Sequence, residues 1–128
     1  DGVPRLVTAT DRAREIALAA AQAAADKLAT DVVLLDVSDR LVITDVFVLC
    51  SAENQPQMNA VKDAVEKELL GIGAKTLRRE GEREARWVLL DYGDIVVHIQ
   101  HSEERKFYAL ERLWQDCPQI DLGVDVRR

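Results

Sequence analysis

The segment from Trp87 to His98, WVLLDYGDIVVH, limits what this chain can fold into more than any other stretch. Aliphatic and β-branched residues flank Tyr92 and Gly93, which predicts two strands joined by a tight turn, with Gly93 supplying the positive φ such a turn needs. A two-residue turn at Tyr92-Gly93 sets Asp91 opposite Asp94, Leu90 opposite Ile95, Leu89 opposite Val96, Val88 opposite Val97 and Trp87 opposite His98. Opposed residues share a face. One face is then wholly aliphatic (Val88, Leu90, Ile95, Val97), while the other carries Trp87, Leu89, Val96 and His98 beside the two carboxylates and Gln100. The second face is the candidate functional one.

The following segment, SEERKFYALERLW, predicts a helix with the same division of labour. Phe107, Leu110 and Trp114 recur at i, i+3 and i+7 and can bury together, with Leu113 alongside. Tyr108 lies off that stripe with Arg105 and Arg112 at i−3 and i+4, which places its ring among charged stems on a solvent-facing surface.

Upstream, residues 11 to 29 are Ala-rich, with Ile16, Ala19, Ala20, Ala23, Ala24 and Leu28 at helical spacing and Thr10 as the expected N-cap. Two buried, central strands are expected at Val32 to Val37 and Leu41 to Leu49, the second broken or begun at Thr44-Asp45. Asn54-Gln55-Pro56 reads as a helix entry, Met58, Val61, Val65 and Leu69 as its buried stripe, and Gly71 and Gly73 as its end. Ala74 to Arg79 completes the set as a short strand, and Glu80 to Glu84 as a charged loop. The order α, β, β, α, β, β, β, α predicts an α/β fold, a mixed sheet of about five strands with helices packed on it. Residues 1–9 are expected to form a flexible N-terminal segment, 10–115 the domain, and 116–128 a loosely ordered tail.

A length of 128 residues with 48% hydrophobic content fits one domain with one core. The net charge of −6 opposes a phosphate backbone, and acidic and basic residues interleave from Lys75 to Arg86, so direct nucleic-acid binding is not expected. A basic protein surface is the favoured kind of partner. Cys50 lies in an apolar strand pattern and Cys117 beside Pro118, without CxxC spacing, which points to a reduced, cytoplasmic protein. Residues 1 to 10 lack the apolar run of a signal peptide, and no segment has the length of a membrane span.

Three chemical constellations compete. Asp91 and Asp94, opposed across the turn, are the kind of pair a two-metal phosphoryl-transfer site uses, but turn aspartates ordinarily accept backbone amides and no third ligand is evident. His98 and His101 fall on opposite strand faces and have no Cys or Glu at metal-ligand spacing, and Cys50 has no obvious base, so neither a metal nor another cofactor is expected. His98 either packs on Trp87 as a half-buried imidazole or touches a partner. Trp87 and Tyr108, aromatic and ringed by polar residues, fit interface anchors, whereas Trp114 and Phe107 fit the core.

The ordered blocks LDV (Leu35 to Val37), ITDVFVLC (Ile43 to Cys50), EG (Glu80-Gly81), WVLLDYGDIVVH and FYALERLW resemble those of the ribosomal silencing factor family, RsfS or Iojap, over residues 10 to 115. The resemblance implies an α/β sheet related to nucleotidyltransferases, no catalysed reaction, and binding to ribosomal protein L-fourteen of the large subunit, which blocks joining of the small subunit and represses translation. It also implies that Trp87 and Tyr108 contact that protein. With Leu89, His98 and Arg105 they make up the expected partner-binding set, and a homodimer is a tendency of the family. A nucleotidyltransferase would need a Gly-Ser pair opening a helix, where this chain has Ser51-Ala52-Glu53. The family's small Thr-Gly or Thr-like turn is replaced there too. A metal-dependent nucleotidyl- or phosphoryl-transfer enzyme using Asp91 and Asp94 is the alternative.

Overall fold

The computed structural model describes residues 8–84 and 86–122, with the side chains of Phe107, Tyr108 and Glu111 excepted. Its order is α1 (Asp11–Asp26), β1 (Thr30–Asp36), β2 (Val46–Ala52), α2 (Gln55–Gly71), β3 (Arg78–Glu80), β4 (Trp87–Asp91), β5 (Ile95–His101), α3 (Ser102–Tyr108) and α4 (Leu110–Leu113). The five strands form one mixed sheet in the order β1-β2-β5-β4-β3. Strands β2 and β5 run parallel; the other three pairs are antiparallel.

Helices α1 and α2 cover one face of this sheet. Thr10 caps α1 as expected, its Oγ1 accepting the Ala13 N–H at 3.0 Å, and the alanines at 13, 17, 20, 21 and 24 are fully buried. Such small side chains let the helix lie close to both α2 and the sheet. Helix α2 begins at Asn54, whose Oδ1 accepts the Gln57 N–H at 2.8 Å, and buries the expected Met58, Val61, Val65 and Leu69. Both helices end alike. Leu28 N–H bonds to the Ala25 carbonyl and Ala29 N–H to that of Ala24, as Gly73 does to Leu70 and Ala74 to Leu69. Leu28 therefore takes a left-handed φ of 66° and turns outward, 59% exposed, instead of joining the buried stripe.

Alternation along the strands divides the core in two. Leu34, Val46, Val48, Cys50, Val88, Leu90, Ile95, Val97 and Ile99 face the helices. Leu35, Phe47, Leu49 and Val96 face the other way, where Val37, Cys117, Leu110 and Trp114 pack against them. The apolar runs Val32 to Leu35, Val46 to Cys50 and Ile95 to Val97 follow from cover on both sides.

Several expectations need correction. The strand expected from Leu41 starts at Val46; Val42 and Ile43, 99% and 82% exposed, belong to the preceding loop. Strand β1 is an edge strand of the sheet, its outer side meeting the chain's later segment: Asp36 N–H bonds to the Pro118 carbonyl and Ile120 N–H to that of Leu34. Pro118 to Ile120 lie along β1 and Cys117 is buried, while residues 123–128 lie outside the described residues. Residues 1–7 of the expected flexible segment also lie outside them, but Ala9 is buried and its N–H bonds to Asp36 Oδ2 at 3.1 Å. The single helix expected after His101 is two, divided at Ala109 with φ 47° and ψ 59°.

The alanine packing of α1 yields a test. Ala20 has no accessible surface, so Ala20→Leu should overpack the layer and destabilise the protein by about 1–3 kcal/mol. Urea denaturation of the two proteins, with m values compared, measures it.

Candidate partner-docking face

Strand β5 organises the face opposite the helices. The turn residues are Gly93 and Asp94, flanked by the Tyr92 N–H to Ile95 carbonyl bond of 2.9 Å, with a left-handed φ of 84° at Gly93. Displacing the turn by one residue moves every cross-strand partner by two. Asp91 pairs with Val96, Leu90 with Val97, Leu89 with His98, Val88 with Ile99 and Trp87 with Gln100. Because side chains alternate with a period of two, the expected faces survive the corrected register. Trp87, Leu89, His98 and Gln100 share one face, joined by Phe47, Leu49 and Ser51 from β2.

At its centre is a short row of polar and aromatic groups. The indole Nε1–H of Trp87 donates to His98 Nδ1 at 3.1 Å, and the rings lie 6.1 Å apart. Phe47 meets the imidazole edge-on at 4.9 Å, and Trp114 meets Phe47 edge-on at 5.3 Å. The indole of Trp114 is covered in turn by the Arg40 guanidinium, 5.3 Å away, which also pairs with Asp116 at 2.8 Å. His98 is buried and Trp87 and Leu89 are half-buried, so the row runs from the interior to the surface. His98 packs on Trp87, and is buried where the sequence suggested a half-buried ring.

Helix α3 closes the row. Its N-cap is His101, whose Nδ1 accepts the Glu103 N–H at 3.2 Å. Arg86, just before β4, reaches Glu104 at 3.0 Å and Glu103 at 3.4 Å, tying the helix to the strand that carries Trp87. Arg105 does not stand on a solvent-facing surface beside Tyr108 as the helical spacing suggested. It is 6% exposed, and its guanidinium donates to Ser51 Oγ at 3.0 Å. Tyr108 ends α3, with its side chain outside the described residues, as is that of Phe107. Leu113, expected in the core beside Trp114, is 69% exposed because the break at Ala109 rotates the second short helix.

Burial and charge set the protonation of this region. Burial, assisted by the nearby Arg105 charge, pushes the His98 imidazole down to about 4. Burial also pushes the Cys50 thiol up to about 12, against the opposing pull of Arg105, which makes it an inert core residue. Asp91 serves the turn: its Oδ1 accepts the Gly93 N–H at 2.8 Å, and Arg78 lies 3.5 Å from its other oxygen. In the corrected register Asp94 no longer stands opposite Asp91.

Two contributors were not legible from local pattern. Ser51 lies 54 positions from Arg105, and nothing nearby marks it as its acceptor. Gly81, with φ 82°, is packed so tightly that an added Cβ would lie 2.0 Å from the Trp87 carbonyl oxygen. The Glu80-Gly81 block of the resemblance was the available signal. Gly81 holds the β3–β4 connection against the backbone of the strand that presents Trp87.

The model of the family described as "Ribosomal silencing factor during starvation" matches residues 10–128. Ribosomal silencing factor RsfS of Bacillus subtilis is 38% identical over 109 residues, covering 85% of this chain and 92% of its own. A crystal structure from Chromobacterium violaceum superposes with a TM-score of 0.76 at 29% identity, covering 80% of this chain and 85% of its own. One from Bacillus halodurans gives 0.73 at 36% identity, covering 84% and 98%.

The buried imidazole makes stability depend on pH. Folded His98 stays neutral down to about pH 4, whereas an unfolded imidazole takes up its proton near 6.5. Between those values the unfolded chain binds more protons, so this contribution is complete above pH 6.5 and is lost as pH falls towards 4. Moving from pH 7 to pH 5 should remove about 2 kcal/mol through His98. Urea melts at both values should show that loss in the parent, and a profile flatter by that amount in His98→Asn.

Proposed function

Since the chain belongs to the ribosomal silencing factor family, a translation-repressing, ribosome-associated group, we propose that it docks on ribosomal protein L-fourteen of the large subunit through the face carrying Trp87. While bound there it keeps the small subunit from joining. The observation that supports this most is the state of Trp87: a half-buried indole at the margin of the face, with its N–H already satisfied by His98. Such a ring offers apolar area to a partner without leaving a donor stranded.

The rest of the face suits the role. Leu89 lies beside the indole, and Tyr108 ends the helix that Arg105 and Arg86 fasten to the sheet. Arg105 and His98 act from beneath, as supports. The net charge of −6 favours encounter with a basic ribosomal protein over direct contact with RNA. The reading involves no catalysed reaction, since silencing requires occupancy alone, and the working compartment is the cytoplasm. Asp91, on which the enzyme alternative depends, is engaged by a backbone amide and a guanidinium.

The chain should lower subunit joining in proportion to its occupancy, with no nucleotide or metal added, when mixed subunits are sedimented through sucrose. Unchanged joining at saturating excess overturns the proposal. Trp87→Ala should weaken binding to purified large subunits by about 2 kcal/mol with the fold retained, as circular dichroism would register. Tyr108→Ala should likewise speed dissociation while altering the association rate much less, which surface-plasmon kinetics resolves.

A further inference from the structure

His98 fills a place that an apolar residue would fill at lower cost. Its ring is buried against Phe47 and Trp87, and its Nε2 has no hydrogen-bond partner among the described residues. A buried polar nitrogen without a partner is destabilising, and leucine or phenylalanine there would avoid it. What the imidazole adds is its other nitrogen. An indole N–H can only donate, so the His98 Nδ1 facing it is the bare, accepting nitrogen and the ring proton sits on the stranded Nε2. The cost at Nε2 is thus the consequence of presenting an acceptor to Trp87.

Strand geometry makes that acceptor matter. The direct cross-strand neighbour of His98 is Leu89, and Trp87 stands opposite Gln100, so the indole has to lean one pair along the sheet to reach the imidazole. The bond therefore selects one orientation of a half-buried ring at the end of β4. Arg105, held to Ser51 on the same face, disfavours a second proton on the ring and so preserves the acceptor. We propose that His98 is a positioning residue, which fixes the Trp87 indole in its docking orientation through Nδ1 without itself touching the partner. The proposal rests on the reading of Trp87 as the docking anchor.

The experiment uses the full chain labelled with nitrogen-15, its Trp87 and Trp114 indole signals distinguished through Trp114→Phe, and its affinity for purified bacterial large subunits. His98→Leu keeps the bulk and removes the acceptor. His98→Asn loses bulk but places an amide oxygen where Nδ1 was. His98→Leu should shift the Trp87 indole signal and raise Kd about tenfold, the size of one lost orienting hydrogen bond, whereas His98→Asn should recover most of both. In a Trp87→Phe background, which has no indole donor, His98→Leu should change Kd less than about twofold. Full loss from His98→Leu in that background overturns the proposal, because His98 would then act on the partner or on the fold directly. So does wild-type affinity in His98→Leu when Trp87→Ala has lost binding. If Trp87→Ala itself binds like the parent, the docking reading falls and the positioning role falls with it, a pattern distinct from the other two.

Discussion

Strand β5 carries the constraint on which the rest of the structure depends. It is hydrogen-bonded on both edges, to β2 in parallel and to β4 in antiparallel, and it is covered on both faces. Ile95, Val97 and Ile99 meet this demand towards the helices by simple apolar burial. Val96, His98 and Gln100 meet it on the other face with a mixture, and buried polar groups there need partners. The chain supplies one for His98 Nδ1, while His98 Nε2 and the Gln100 side-chain amide have no hydrogen-bond partner among the described residues. Strand β4 folds back with Trp87 to reach His98, and α3, entered directly from β5, returns Arg105 to Ser51 on β2. The candidate docking face is therefore the outer margin of the arrangement that makes a doubly covered strand possible.

That dependence explains what could be read from sequence. Periodicity reports which side of an element is buried, and so the stripes of α2, the cap of α1 and both faces of the hairpin were legible. Even the misplaced turn did no harm to the faces, because shifting it by one residue shifts partners by two, the repeat of the strand itself. Partner choice across long separations leaves no such trace. Arg105 looked solvated because it neighbours Tyr108 on a helical wheel, and only the sheet beneath α3 reveals the acceptor on Ser51. Leu113 was misjudged for a related reason: a left-handed alanine at 109 breaks the wheel on which its position was counted. Nothing in Ala109 as a residue type announces that conformation.

The edges of the face are fixed by contacts that reach well along the chain. Gly81 presses the β3–β4 connection against the carbonyl of Trp87, and Arg86 joins the start of β4 to the glutamates of α3. Between them they hold the first residue of a five-residue strand, a position that would otherwise fray. An aromatic anchor at a strand end gains exposure from that location. It keeps its orientation only if such neighbours restrain the backbone and an acceptor restrains the ring, since freezing a mobile side chain on binding would subtract from affinity.

The acidic residues illustrate why fold likeness does not settle chemistry. A mixed sheet with helices on one face invites the search for carboxylates at strand ends, and Asp36, Asp45 and Asp91 are found at or beside them. Each is engaged by backbone amides. Asp36 accepts from Ala9 and Ser38, Asp45 from Thr10, and Asp91 from Gly93. Asp36 and Asp45 thereby hold two successive residues ahead of α1, and Asp91 shapes the turn that sets the β5 register. A carboxylate receiving an amide N–H has part of its acceptor capacity committed to holding a segment in place, and releasing it to bind a cation would loosen the element it anchors. In this chain the same residue type at the same kind of position serves to order the backbone, and the functional argument passes to the half-buried indole of Trp87.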